Sequence, residues 1–206
     1  MQITWEKEKF CRLILKIKII LFVQILFFCT FFVDISYANI KQKLINKLTE
    51  TKTLSFNFIQ KIDNKEEVGR CSIKYPLLMK CNYNNLKQKI IISNGKTGAV
   101  IKKKYKKIYY YPLKSTPLFI ILQKEKILEI IKNNQPTKIG LNIIEFEFID
   151  KKSNKLKIFF DTNSLELKGW KTKDSYSNNV SFMIFNVQTN EIIEDNFFKI
   201  PKEEDL

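Results

Sequence analysis

Few residues in this chain could do covalent or acid–base chemistry, and their spacing narrows the set further. No histidine occurs among the 206 residues, which removes the commonest general base and the commonest metal ligand. Asp150, Asp161 and Asp174 are the acids that could be imagined moving protons, yet no paired spacing or motif selects them. Solvated strand ends account for all three. Of the four cysteines, Cys11 and Cys29 belong to a basic and apolar opening segment, which leaves Cys71 and Cys81. Two cysteines at this spacing make neither a four-cysteine zinc site nor a Cys-x-x-Cys redox centre. No catalytic residue, metal or cofactor is expected.

What the pair can do is bridge. Cys71, Ile73, Tyr75, Met79, Cys81 and Tyr83 share one face of a predicted hairpin, and Ser72, Lys74, Lys80 and Asn82 take the other. A turn centred on Pro76 sets Cys71 opposite Cys81. Opposed residues of antiparallel strands have Cα atoms about 4.5–5.5 Å apart, inside the roughly 4.4–6.8 Å that a disulfide tolerates. In an oxidising compartment the two bond; otherwise they serve as small apolar residues.

The compartment is read from residues 1–38. Lys7, Lys9, Arg12, Lys16 and Lys18 precede an apolar run, Ile19–Val33, and Ser36-Tyr37-Ala38 follows it. A basic stretch, an apolar stretch and a small-x-small site make a secretory leader. The run is about 15 residues, short of the roughly 20 that cross a bilayer. The expectation is a signal peptide over 1–38 and one domain over 39–206, with an uncleaved anchor as the alternative. The net charge of +15 invites a nucleic-acid reading, but Arg12 and Arg70 are the only arginines. Lysine is a poor bidentate reader of bases and phosphates. No nucleic acid is expected, and the charge reads as a solubilising surface, with anionic headgroups or an acidic partner as the other account.

The elements follow from two periods. Ile40, Leu44, Ile45 and Leu48 predict an amphipathic helix over 40–50. Alternation then predicts strands at Thr53–Ile62, Val68–Lys74, Leu78–Tyr83, Gln88–Ser93, Thr97–Lys103 and Lys106–Tyr111, with an Asn94-Gly95 hairpin. The Lys102–Lys107 cluster reads as a solvated hairpin tip. Ser115 or Thr116 can cap a short helix with Pro117 in its first position, and Ile127–Asn133 continues as helix. Strands resume at Leu141–Ile149, Leu156–Asp161, Leu165–Lys171, Val180–Val187 and Phe197–Ile200, with a turn at 162–164. A long antiparallel meander interrupted by helix curls into a barrel or half-barrel. The apolar stretch Pro117–Leu122 needs an apolar bed, and the inner face of such a sheet supplies one.

Several of these segments resemble one family, in order and with similar spacing. Leu54–Lys61 looks like the first strand of the outer-membrane lipoprotein carrier family LolA, which reads aromatic-x-x-x-Phe-x-Gln. Gly69–Pro76 is similar to that family's glycine-led strand ending at proline, and Ile92–Thr97 to its Val-Ser-Asp-Gly-Lys-Thr hairpin. Ser115–Leu122 resembles its Asn-Thr-Pro-hydrophobic lid, and Phe197–Pro201 its closing strand. The resemblance implies an α+β, mainly β fold: an unclosed antiparallel half-barrel with an α-helical lid on its concave face. It also implies a periplasmic chaperone, a monomer and not an enzyme. Such a chaperone takes lipoproteins from an inner-membrane lipoprotein-releasing ABC transporter to an outer-membrane receptor. A carrier of another lipid, glycolipid or phospholipid, would use the same cavity. Two positions depart from the family. Tyr75 stands where it often has an arginine that holds the lid, and Cys81 where it has an aromatic.

Acyl chains need an apolar surface that can be covered and uncovered. The expected cavity residues are Phe56, Phe58, Ile73, Tyr75, Met79, Phe146, Phe148, Trp170 and Phe182. The expected lid is Pro117, Leu118, Phe119, Ile120, Ile121 and Leu122, with Phe119 and Ile121 also meeting cargo. The lid plugs the hollow when it is empty, and cargo displaces the lid when it is loaded.

Overall fold

The computed structural model describes residues 16, 18–24, 39–149, 155–174 and 177–206. The chain divides into two units, residues 1–43 and 44–206. In the first unit, residues 16, 18–24 and 39–43 are helical. The expected processing site at 36–38 lies outside the described residues, as does Asp150. Among the described residues, no helix is long and apolar enough to cross a membrane.

The second unit is built on one sheet. Its strands are β1 (Thr53–Ile62), β2 (Lys65–Lys74), β3 (Leu78–Tyr83), β4 (Lys89–Asn94), β5 (Thr97–Lys102), β6 (Lys107–Pro112), β7 (Lys138–Ile139), β8 (Ile144–Ile149), β9 (Lys155–Phe160), β10 (Leu167–Lys173) and β11 (Asn179–Thr189). Their order is β6-β5-β4-β3-β2-β1-β11-β10-β9-β8-β7, antiparallel between neighbours. The chain runs outward from β1 to one edge, crosses over, and returns from the other edge to lie beside β1. Hairpin turns carry most steps. At Asn94-Gly95 the glycine has φ +93°, and Asn94 Oδ1 accepts from the N–H groups of Lys96 and Thr97.

The sheet is curled and open. Tyr111 on β6 and Trp170 on β10 line one cavity, although seven strand steps separate them. In a flat sheet those steps would span roughly 33 Å. Helix α1 covers residues 39–50, and the crossover carries α2 (Leu118–Ile121) and α3 (Lys124–Asn133). Leu44 and Leu48 of α1 and Ile127, Ile130 and Ile131 of α3 are buried. Lys124 Nζ donates to the carbonyls of Thr49 (3.0 Å) and Thr51 (3.1 Å). Those carbonyls lie at the end of α1, where a helix leaves acceptors unpaired and favours positive charge. One lysine therefore ties the start of α3 to the end of α1.

Several boundaries differ from the sequence reading, most by one or two residues. Strand β2 begins at Lys65 and α3 at Lys124, each three residues early. The predicted strand Leu141–Ile149 starts only at Ile144, because Leu141 is 93% exposed in the turn after β7. Neither Ser115 nor Thr116 caps α2. Their hydroxyls donate backwards to the carbonyls of Pro112 (2.7 Å) and Leu113 (2.8 Å), and the Thr116 carbonyl takes the Phe119 N–H.

The larger correction is at Phe197–Ile200, which is not a strand. Residues Asp195–Phe198 form a 3-10 turn. This end of the chain lies across the outer face of the sheet, where Ile92, Ala99, Ile101 and Ile108 form an apolar cluster with Ile90, Ile200 and Leu206 packed on it. Phe198 is buried, its ring edge-on to Phe197, and Lys80 Nζ sits 4.5 Å over the Phe197 ring. Lys74 Nζ anchors the segment at Asp195 (2.6 Å) and at the Ile193 carbonyl. Glu203 accepts from the N–H of Ile108 on the edge strand β6, which blunts that edge. The domain therefore has two apolar layers, one on each face of β3–β6. Replacing Phe198 with Ala lowers unfolding stability by about 3–5 kcal/mol, read from urea denaturation. Replacing Ile192, which is 95% exposed, leaves it within about 0.5 kcal/mol.

Candidate functional site

Register decides which side chains share a face. Gln60 pairs with Phe182, Phe182 with Trp170, Trp170 with Ile158, and Ile158 with Phe146. In the other direction Phe56 pairs with Cys71 and Cys71 with Cys81, while Ile73 pairs with Met79. Phe148 pairs with Leu156, and Tyr75 follows Ile73 at the same parity. All the expected cavity residues thus stand on the inner face. Cys71 and Cys81 are cross-strand partners there, and their sulfurs are bonded.

An aromatic row crosses this face. Ring centroids are 4.8 Å apart for Tyr83–Phe58, 4.6 Å for Phe58–Phe182 and 4.3 Å for Phe182–Trp170. The rings come from β3, β1, β11 and β10, so two of them must meet across β2. Gly69 makes that possible. It pairs with Phe58 on one side and Tyr83 on the other. A Cβ at this position would strike the Phe58 ring and the Asn82 carbonyl. Such offset and edge contacts add about 0.5–1.5 kcal/mol each beyond area burial.

Helix α2 lies between two hollows. The first, of about 570 Å³, is lined by Pro117 and Leu118 of the lid and by Met79, Trp170 and Phe182 of the sheet. The second, of about 650 Å³, is lined by Phe119 and Ile120, by Phe148 and by the Lys126–Asn133 side of α3. Both sizes suit a ligand pocket. Ile121 and Leu122 of the lid are buried. Phe56, Phe58, Ile73 and Phe146 line neither hollow. Those four are packed core in this arrangement, each no more than 1% exposed, and half-buried Tyr75 lines neither hollow either. Sequence reasoning left Gln60, Tyr111 and Thr172 out of the site, yet all three line the first hollow. Gln60 had a readable signal, since it continues the 54, 56, 58 parity of β1.

Two polar contacts stand at the Gln60–Tyr83 end of the first hollow. Tyr83 Oη donates to Gln60 Oε1 at 2.8 Å. Lys89 pairs with Glu67, and its ammonium lies 3.7 Å over the Tyr83 ring. The acids considered for catalysis hold turns. Asp161 accepts from Lys168 and from the N–H groups of Ser164 and Asn163, which lower its pKa to about 2. Asp174 accepts from the backbone and side-chain amides of Asn178.

The lid is fastened through backbone. Leu77, in the turn between β2 and β3, donates its N–H to the Leu122 carbonyl at 2.9 Å. Ser93, itself buried, donates its hydroxyl to the Leu77 carbonyl at 2.5 Å. Tyr75 does not take this part. Its hydroxyl is buried and has no partner among the described residues. Burial first, and then the Glu125 charge, push its pKa up.

An unpartnered buried hydroxyl costs about 1–3 kcal/mol, so Tyr75→Phe raises the urea midpoint. The folded state also keeps a proton that the unfolded chain releases near pH 10. The stability linked to Tyr75 is therefore full below about pH 10 and falls above it, by up to about 1.4 kcal/mol per pH unit. Tyr75→Phe flattens this alkaline decline. Equal slopes in the two proteins would show that the hydroxyl ionises freely when folded.

No curated protein matches the sequence. Solved structures resemble the fold at very low identity. An uncharacterized conserved protein from Thermus thermophilus is 7% identical, with TM-score 0.48 over 80% of this chain and 94% of that one. A LolA superfamily protein from Nitrosomonas europaea is 7% identical, with TM-score 0.43 over 80% and 97%. The MucA/MucB complex of Pseudomonas aeruginosa contains a chain 6% identical, with TM-score 0.47 over 79% of this chain and 62% of that one. Residues 49–201 match the family model described as outer membrane lipoprotein carrier protein LolA, and the chain belongs to that family.

Proposed function

We propose that this protein shields the acyl chains of lipoproteins in the hollows beneath its lid and carries them across the periplasm to the outer membrane. On this reading an inner-membrane ABC transporter loads it and an outer-membrane receptor unloads it. The observation that carries the reading is the position of α2. A four-residue apolar helix lies between two cavities on the inner face of an open sheet, with side chains turned to each.

The energetics favour an exchange over simple binding. Each buried CH₂ is worth roughly 0.8 kcal/mol. A single long chain in a permanently open hollow would bind too tightly for release. Here cargo must first displace Leu118, Phe119 and Ile120, which are already half-buried. The net affinity is the difference between two apolar burials, so transfer in either direction stays accessible. Phe56, Phe58, Ile73 and Phe146, closed off while the lid is down, become cargo surface when it lifts.

Phe119→Glu places a carboxylate on the lid where the second hollow requires an apolar side chain. It lowers transfer of a lipoprotein from spheroplasts to a receptor more than about tenfold, since burying an unpaired charge is prohibitive. The fold, checked by circular dichroism, is retained because Phe119 is only half-buried. Unchanged transfer refutes the plug. Mass spectrometry of protein extracted from its host should find acylated peptides. Free phospholipid or glycolipid in their place would assign a different cargo.

A further inference from the structure

At one end of the strands, the loop between β3 and β4 and the hairpin between β5 and β6 are joined. The N–H groups of Lys103 and Lys104 donate to the carbonyls of Gln88 and Lys87, both at 3.4 Å. This gathers Lys87, Lys103, Lys104, Lys106 and Lys107, all exposed, on one tip. Among them stand Leu86, 88% exposed, and Tyr105 and Tyr109, each about half exposed. Lys102 Nζ lies 4.8 Å over the Tyr109 ring. Glu203, 3.8 Å from Lys107, offsets part of the charge.

Ammonium groups set among tyrosines and a leucine have the chemistry of an anionic bilayer surface. Lysines meet lipid phosphates there, and amphipathic rings settle at headgroup depth. Lysine also discriminates between occupants. It is a point charge that suits phosphates free to move sideways, whereas a structured acidic protein is read better by the fixed fork of arginine. The tip has no arginine. Its place in the fold adds a direction. Lys102 pairs with Lys89, whose ammonium covers the Tyr83 ring, and Tyr83 lines the first hollow.

We propose that the tip formed by Lys87 and Lys102–Lys107 docks on the surface of an anionic phospholipid bilayer and turns the mouth of the first hollow toward the headgroups. The docking stands on charge and exposure, and does not require that the hollow carry lipoproteins.

The test is flotation of the full chain with vesicles of phosphatidylglycerol and phosphatidylcholine, against vesicles of phosphatidylcholine alone. The apolar N-terminal run is common to every variant, so differences report the tip. The wild type floats with the anionic vesicles, and the binding is lost as salt approaches about 1 M, where screening acts within about 3 Å. K103Q/K104Q/K106Q weakens binding about a hundredfold, near fivefold for each lysine. K52Q/K96Q/K114Q removes equal charge from exposed sites at the opposite end of the strands and binds as the wild type does. Equal loss in both triples overturns the proposal in favour of net charge. So does a tip triple that binds vesicles like the wild type, and one that loses only capture on polyglutamate beads makes the tip a protein-docking surface. Flotation by a protein that holds no acyl chain would defeat the carrier reading and leave the docking intact.

Discussion

The inner face of the sheet is apolar and only partly filled, and several other features of the domain bear on that. An ordinary sheet buries such a face under a second fixed layer. Here part of the cover is α2, four residues long and too short to be stable alone. Its place is held by the bed beneath it and by its two ends. A face covered this lightly contributes less to folding than its area suggests. A second apolar layer lies on the outer face, where the C-terminal segment packs on the Ile92–Ile108 cluster. The disulfide and the aromatic row across β3, β1, β11 and β10 stiffen the inner face from within.

Polar groups are arranged to leave that face dry. Gln60 and Tyr83 satisfy each other at the mouth of the first hollow, and Lys89 and Glu67 close as a pair beside them. A carboxylate or ammonium left unpaired in an apolar hollow would draw water into it. Much of the remaining charge lies on exposed turns and edges, and Lys173, which also lines the first hollow, is itself exposed. Net positive charge and a greasy interior can therefore coexist in one domain without compromising each other.

Much of this was legible in the sequence, for a simple reason. Inward parity is a local property, and alternation such as Leu54-Phe56-Phe58 survives whatever the partner strand turns out to be. The match of Cys71 to Cys81 followed from the same counting around Pro76. The misreadings came where local pattern was silent about a distant partner. Phe197–Ile200 has the apolar content of a strand, but Pro201 and the waiting bed on the outer face make it a strap. Thr116 has the composition of a helix cap, yet its hydroxyl donates backwards to the Leu113 carbonyl, and the Phe119 N–H that a cap would hold goes to the Thr116 carbonyl instead. Phe56, Phe58, Ile73 and Phe146 share the inner face that alternation predicts but are packed core, and no spacing encodes which inner-face residues are left bordering a hollow. Gly69 carried its message only once Phe58 and Tyr83 were known to meet over it.

The fastening of the lid has an evolutionary corollary. Leu77 grips Leu122 main chain to main chain, so the bond itself asks nothing of either side chain, although Leu122 is buried. Selection acts on the shape of the turn, which Ser93 braces, and position 75 is released from the duty of donating. A side chain at 75 can then be one that donates or one that does not without undoing this bond. Substitutions at that position should accordingly disturb the packing beside the lid more than the bond that holds it.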